Sequence, residues 1–516
     1  MTELRLTNKK MQRLVLPYMK VGICEMMNAS PNFFSDSFMV YNTKNRLYKG
    51  DALKSSEQQF LGDVVGGGLC DSYTGREVSS HICQFLANAL ARHACSIDEI
   101  QKLRKEFGQE DPLVDYLLMA HRAKRLRPAE DRRLESTVSD KDMQQYAFLA
   151  DASFFTNCKR GGYNGVEETG CRGVWFSSTV TPTSLEGQRR LAVHRTDKDA
   201  RIGLAPPAVK SLSETTSSAY ERELERVNEI ESLYANSLDM VVSGVGDCRA
   251  FGICRNPLTD GCKRSQLDPT RERVIPLSVD HKPFRTDDFR RITAAGGVVD
   301  SSKSECIDDN PFLNVSRSFG HLSMKSNPKL SPIQQKLIPT PSSFTWEMLP
   351  GDVLVLFNHA VIETESGEDT TVDELGKLVG RGVDAGMPPE QIAGSLCDHA
   401  LRKGATHTLQ ALVVVAENMR EGTATAQEGP DVNEWIDAGP IYFDACKHHE
   451  PYRAALLRDC ERCGVSLAEL LQLRCERVAP LLPMRHSLSL LPYYSSEAAF
   501  AADDGERVCI SFTMRC

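Results

Sequence analysis

Two short apolar runs around a tight Gly/Asp turn constrain this chain most. Met240 to Val245 is an apolar run that ends at Gly246-Asp247, and Ala250 to Cys254 follows before the polar break at Arg255-Asn256-Pro257. Runs of this length, bounded by turn residues, read as strands, and their spacing predicts a hairpin. Val353 to Phe357 and Leu409 to Val415 are two further buried-strand runs. Helical signals alternate with them. Glu77 to Cys95 carries a stripe of Val78, Ile82, Phe85, Leu86 and Leu90. Thr286-Asp287-Asp288 opens a helix, with Thr286 as its N-cap and Gly296-Gly297 as its stop. Pro388-Pro389 starts another, with Ile392, Leu396 and Leu401 on one face before Gly404. The strands read as antiparallel.

Composition narrows the class. The 516 residues allow several domains, or one large domain with attachments. Hydrophobic residues at 41% and charged residues at 25% exclude a disordered or fibrous chain. The net charge of −9 is spread along the length, which argues against a nucleic-acid partner. Nothing approaches the ~18 uninterrupted apolar residues of a spanning helix, so no membrane span is expected. Seventeen cysteines, an odd number at irregular spacing, read as reduced thiols in the cytoplasm. The basic start MTELRLTNKKMQRLVLPYMK lacks the apolar region of a secretory signal, and is too poor in Arg and Ser for a transit peptide.

Three segments break the rhythm. Residues 182–217 are polar, broken by Pro and Gly, and read as a surface insertion. Residues 218–235 read as a charged helix with Leu224, Val227 and Ile230 on one face. Beyond about residue 418 a Gly- and acid-rich linker leads to a leucine-rich helical tail, 451–478, and a last segment with strand character. The helix at 218–235 and the tail are the candidate surfaces for other proteins, although each stripe would serve equally to cover the chain's own core. The tail also holds Cys446, His448, His449, Cys460, Cys463 and Cys475. A second pair at zinc spacing is missing, and thiols at i and i+3 of a helix are commonly just packed.

Four ordered motifs carry a resemblance. Val241 to Ala250 (VVSGVGDCRA), Leu277 to Pro283 (LSVDHKP), Arg290-Arg291-Ile292 through Ala294-Ala295-Gly296-Gly297, and Asn314 to Gly320 (NVSRSFG) resemble elements of the metal-dependent Ser/Thr phosphatases of type 2C, in that family's order. The resemblance covers roughly residues 20–416 with insertions. It implies an α+β fold, a four-layer α-β-β-α sandwich of two antiparallel sheets flanked by helices. The implied division is an N-terminal extension (1–20), a phosphatase-like domain (21–417, with an insertion at 182–237), and a linker with a mainly helical C-terminal extension (418–516). The family's chemistry uses two Mg²⁺ or Mn²⁺ ions on carboxylates, a metal-bound water as nucleophile, and an arginine that clamps the phosphate.

The motifs kept are those of the scaffold, and those changed are those of the chemistry. The family's first metal motif aligns with Pro31 to Asp36: Asp36 is kept, Ser35 replaces a glutamate, and the clamping arginine falls on Pro31. The second keeps Asp71, with Ser72 after it. The third falls on Asn358-His359-Ala360, with His359 for the aspartate. The last falls on His407-Thr408-Leu409, with His407 for the aspartate, or Thr406 if the register slips by one. His321 replaces the acid of the FGD element. Asp247, Arg249, Asp280, His281 and Lys282 are read as braces for loops and strands.

The resemblance with these losses implies a pseudophosphatase: a non-catalytic protein-binding or scaffold module with no cofactor. The alternative is a divergent Ser/Thr phosphatase in which Asp36, Asp71, His359 and His407 hold one Mn, Zn or Fe ion, since imidazoles with carboxylates suit such ions better than Mg²⁺. The plainer reading of the four is that they fill an abandoned cleft.

Overall fold

Continuous apolar runs form here because both faces of a strand are covered. In the computed structural model, Val353, Val355 and Phe357 face one apolar cluster while Leu354 and Leu356 face another. Met240 and Val242 join the second cluster, and Val241 and Val245 join a third. This leaves no polar face to alternate with. The structure describes residues 9–16, 18–26, 37–42, 64–72, 77–93, 111–125, 138–160, 169–182, 236–255, 273–299, 306–310, 313–364, 367–405 and 407–417, with a few scattered positions besides.

In chain order the elements are β1 (Lys9–Leu16), β2 (Met19–Met26), β3 (Ser37–Asn42), β4 (Val64–Ser72), α1 (Glu77–His93), α2 (Pro112–Arg125), α3 (Asp140–Lys159), β5 (Gly170–Pro182), β6 (Asn236–Val245), β7 (Arg249–Cys254), β8 (Arg273–Pro276), α4 (Thr286–Ala294), β9 (Phe319–Gly320), β10 (Ser342–Met348), β11 (Val353–Phe357), α5 (Val372–Asp384), α6 (Pro389–Arg402), β12 (Leu409–Ala416) and β13 (Ile436–Asp437). One sheet runs β13-β1-β2-β12-β11-β7-β8 and the other β10-β6-β5-β4-β3, with β9 on β5; every pairing between these strands is antiparallel. Helices α1 and α3 pack outside the second sheet, and α5 and α6 outside the first, so the expected four layers are present. Between the sheets lie Ile23, Leu69, Phe176, Val242, Leu356 and Leu412, each worth about 1.5–3 kcal/mol of burial.

Several sequence expectations are corrected. Met240–Val245 and Ala250–Cys254 do not form a hairpin: β6 pairs with β5 and β10, whereas β7 pairs with β11 and β8 in the opposite sheet. The Gly246-Asp247 turn is a corner between sheets, with Gly246 at φ +90° and its carbonyl accepting from His281 N–H at 2.9 Å. Within the segment expected as an N-terminal extension, β1 pairs along its whole length with β2 and takes β13 on its other edge. Helix α4 starts one residue early, with Arg285 rather than Thr286 at the N-cap and Phe289 N–H donating to the Arg285 carbonyl. Its stop is as expected, with Gly296 at φ +80° and Gly297 N–H returning to the Ile292 carbonyl at 2.8 Å.

Helix α6 is tied down at its first turn. Arg13 of β1 grips both oxygens of the buried Glu390 carboxylate, with Nε 2.8 Å from Oε2. A Cβ on Gly22 would lie 2.0 Å from the backbone of Pro389 and Glu390, so helix and strand touch main chain to main chain. The candidate helix 218–235 and the insertion 182–217 lie outside the described residues, except Pro182 at the end of β5. So does most of the tail 451–478; of it, Cys460 is helical and 3% exposed, packed in the cluster of α5, α6 and β11, as a plain core thiol would be.

Candidate functional site: a charged cleft at the ends of both sheets

Strand ends and the loops that follow them converge at one edge of the sandwich. Asp71 is the second-last residue of β4, and the register places Arg172 of β5 directly opposite it. Opposite charges facing across an antiparallel pair attract one another at short range. Arg172 Nη2 lies 3.2 Å from Asp71 Oδ2, and Nη1 lies 2.7 Å from Asp247 Oδ1, so one guanidinium spans two carboxylates. Lys282, in the loop after β8, donates to the other oxygen of Asp247 at 2.7 Å. His359, just past the end of β11, places Nδ1 3.9 Å from that same oxygen.

The corner between the sheets builds this arrangement. Asp247 follows Gly246 and is fully buried. A Cβ on Gly246 would meet Arg172 Cγ at 2.7 Å and Cβ at 2.9 Å, so the turn cradles the arginine's aliphatic stem. Burial alone would raise the pKa of Asp247, but Arg172, Lys282 and His359 outweigh it and hold the carboxyl far below its ordinary value.

The histidines split. His359 stays in the cleft, whereas His407 is 74% exposed and turns Nδ1 to Glu363 Oε2 at 3.0 Å. That hydrogen bond to Glu363 raises the pKa of His407, against the opposing effect of burial. For Glu363 burial is the largest influence, and it is overridden by His407, His359 and Arg172, which lower its pKa. Asp36 and Thr406 lie outside the described residues.

Of the residues read as braces, three fit that role. Arg249 binds Asp280 through two parallel hydrogen bonds of 3.0 and 2.8 Å, fastening β7 to the loop after β8. His281 is fully buried; Gly246 N–H donates to its Nδ1, so Nε2 carries the proton and donates to Ser342 Oγ at 2.9 Å. Asp247 and Lys282 pair with one another and join the charged cluster around Arg172. Sequence reasoning missed Arg172 and Glu363. A lone arginine in the run Gly170-Cys171-Arg172-Gly173-Val174-Trp175-Phe176 was the available signal, because a charge in a strand buried on both faces needs a partner.

Among the described residues the donors present do not make up a two-metal centre. Asp71 Oδ2 and Asp247 Oδ1 are engaged by Arg172, Asp247 Oδ2 by Lys282, and His407 Nδ1 by Glu363. Among the described residues, no group of three His, Cys, Asp or Glu side chains is placed to hold a metal ion.

The two antiparallel sheets, the paired outer helices and the cleft at the strand ends define a phosphatase-type sandwich. The family described as Protein phosphatase 2C matches residues 121–409, more than half of the chain, and the chain belongs to that family. It is 29% identical over 174 residues to a probable protein phosphatase 2C 3 of Paramecium tetraurelia, covering 31% of this chain and 51% of that one. It is 32% identical over 142 residues to a protein phosphatase 2C homolog 2 of Aspergillus fumigatus, covering 27% and 30%. The chain thus spans about half or less of the length of these relatives. A crystal structure of a phosphatase from Toxoplasma gondii aligns over 80% of this chain and 96% of its own, with a TM-score of 0.45 and 18% identity.

Proposed function

We propose that this chain is a non-catalytic member of the protein phosphatase 2C family, retained as a protein-binding or scaffold module in the cytoplasm. One observation carries the proposal: the guanidinium of Arg172 engages Asp71, a carboxylate that the family's chemistry needs free for metal, and ties it to Asp247. The substitutions at Pro31, Ser35, His359 and His407 point the same way, since they remove the phosphate clamp and three metal carboxylates that the resemblance implies. No cofactor is required in this reading. The buried cysteines Cys24, Cys70, Cys83, Cys171 and Cys248 form no disulfide, which suits a reducing compartment. Partners are other proteins, and the 218–235 and 451–478 segments are the candidate contacts.

The test is turnover. Purified full-length chain is assayed on p-nitrophenyl phosphate and a phosphothreonine peptide, with Mg²⁺ or Mn²⁺ added. The expected rate equals that of the Asp71→Asn variant. Mn²⁺-dependent turnover that Asp71→Asn abolishes would overturn the proposal in favour of a divergent phosphatase using Asp36, Asp71, His359 and His407.

A further inference from the structure

The charge balance in the cleft is closed by the chain itself. Asp71 and Asp247 bring two negative charges, and Arg172 and Lys282 bring two positive ones. That sum matches one divalent cation. The four side chains are between 0% and 19% exposed, so they interact in a largely water-excluded setting and each charge needs its partner. Arg172 suits the task for three structural reasons. Its planar fork reaches two carboxylates at once, which a lysine ammonium cannot do with the same geometry. Its stem is seated by the Cβ-less corner at Gly246. Its origin opposite Asp71 in the β4–β5 register fixes its reach.

We infer that Arg172, backed by Lys282, is a built-in counter-ion that stands in for a divalent cation and makes the fold of this cleft independent of metal. A guanidinium does not lose its proton in proteins, so this counter-ion cannot be titrated away. A metal ion competes for Asp71 and Asp247 only by expelling the side chain from its seat. Shortening Arg172 leaves the two carboxylates uncompensated, and a divalent cation then supplies the missing charge. The inference deepens the non-catalytic reading and rests on it, but the two fail separately.

The experiment combines thermal melting with Mn²⁺ electron paramagnetic resonance on the full chain. For wild type, millimolar Mn²⁺ and EDTA leave the melting temperature unchanged, and the Mn²⁺ spectrum stays that of the free ion. Arg172→Ser lowers the melting temperature, and Mn²⁺ restores part of the loss. The restoration disappears in the Asp71→Asn/Arg172→Ser double variant. If Arg172→Ser does not accumulate as folded protein, refolding with and without Mn²⁺ decides: rescue by the ion supports the inference, and its failure overturns it. Two further results would overturn it. One is wild-type binding of Mn²⁺ that Asp71→Asn removes; the other is a folded Arg172→Ser protein that Mn²⁺ does not stabilise. Binding of Mn²⁺ by wild type without turnover of a phosphomonoester sinks this inference alone, whereas turnover sinks the non-catalytic reading as well.

Discussion

Replacing Gly246 with alanine probes the corner and the arginine seat together. Gly246 sits at φ +90°, where a residue with a Cβ is strained by about 1–3 kcal/mol. The added methyl would also lie 2.7 Å from Arg172 Cγ, 2.9 Å from its Cβ and 3.2 Å from its Cδ. Overpacking of this kind adds roughly 1–3 kcal/mol. The backbone part is indifferent to what occupies position 172, but most of the collision is not, because Arg172→Ala deletes Cγ and Cδ. A double-mutant cycle separates the two parts, and contacting residues show coupling of about 0.5–3 kcal/mol. Urea unfolding followed by tryptophan fluorescence is a suitable readout, since Trp175 is fully buried three residues along β5 from Arg172. Gly246→Ala is expected to lower stability by about 2–6 kcal/mol alone, from the strain and overpacking combined, and by less in the Arg172→Ala background. An equal penalty in both backgrounds would refute the seating of Arg172 against this turn.

Other perturbations follow from the same geometry. Asp247→Asn leaves Arg172 and Lys282 without their shared counter-charge and is expected to cost about 3–5 kcal/mol in urea unfolding; a loss no larger than that of an exposed Asp→Asn change would contradict the charge closure. His281 is held neutral by burial, with its pKa pushed down to about 3 from an ordinary 6.5. Above pH 6.5 its contribution is complete; as the pH falls toward 3 the unfolded chain takes up a proton that the folded chain refuses, removing about 1.4 kcal/mol per pH unit. Unfolding midpoints measured from pH 7 to pH 4 should fall more steeply for wild type than for His281→Gln, and parallel slopes would contradict the buried neutral imidazole. Gly22→Ala drives a methyl into the backbone of α6 and should prevent soluble expression or cut stability severely. Unchanged melting would show that β2 and α6 do not touch main chain to main chain.

The scaffold was legible because its signals are local or ordered along the chain. Continuous apolar runs at Val353–Phe357 and Leu409–Val415 mark strands covered on both faces, and the stripe from Val78 to Leu90 marks a helix on a sheet. The corner at Gly246-Asp247 was misread because a short Gly/Asp turn between two apolar runs looks the same whether the second strand folds back or passes to the opposite sheet. That choice is made by distant partners: β5 and β10 claim β6, while β11 and β8 claim β7. The cleft was only half legible. Asp71 and His359 were singled out from their motif positions and do lie near Asp247 and Arg172. Arg172 was not, because its importance depends on a register with Asp71, a hundred residues earlier, and on an aspartate 75 residues later. His407 and Glu363 find one another across 44 residues, which no spacing pattern reveals.

Metal content is the most direct test of whether the cleft neutralises itself. Full-length protein expressed in medium supplemented with Mn, Zn and Fe is purified without chelator and measured by inductively coupled plasma mass spectrometry. The expected result is metal no higher than in a metal-free control protein, unchanged by His359→Ala. Near-stoichiometric Mn, Zn or Fe that is lost on Asp71→Asn or His359→Ala would contradict it, and would mean that Arg172 gives way to an ion.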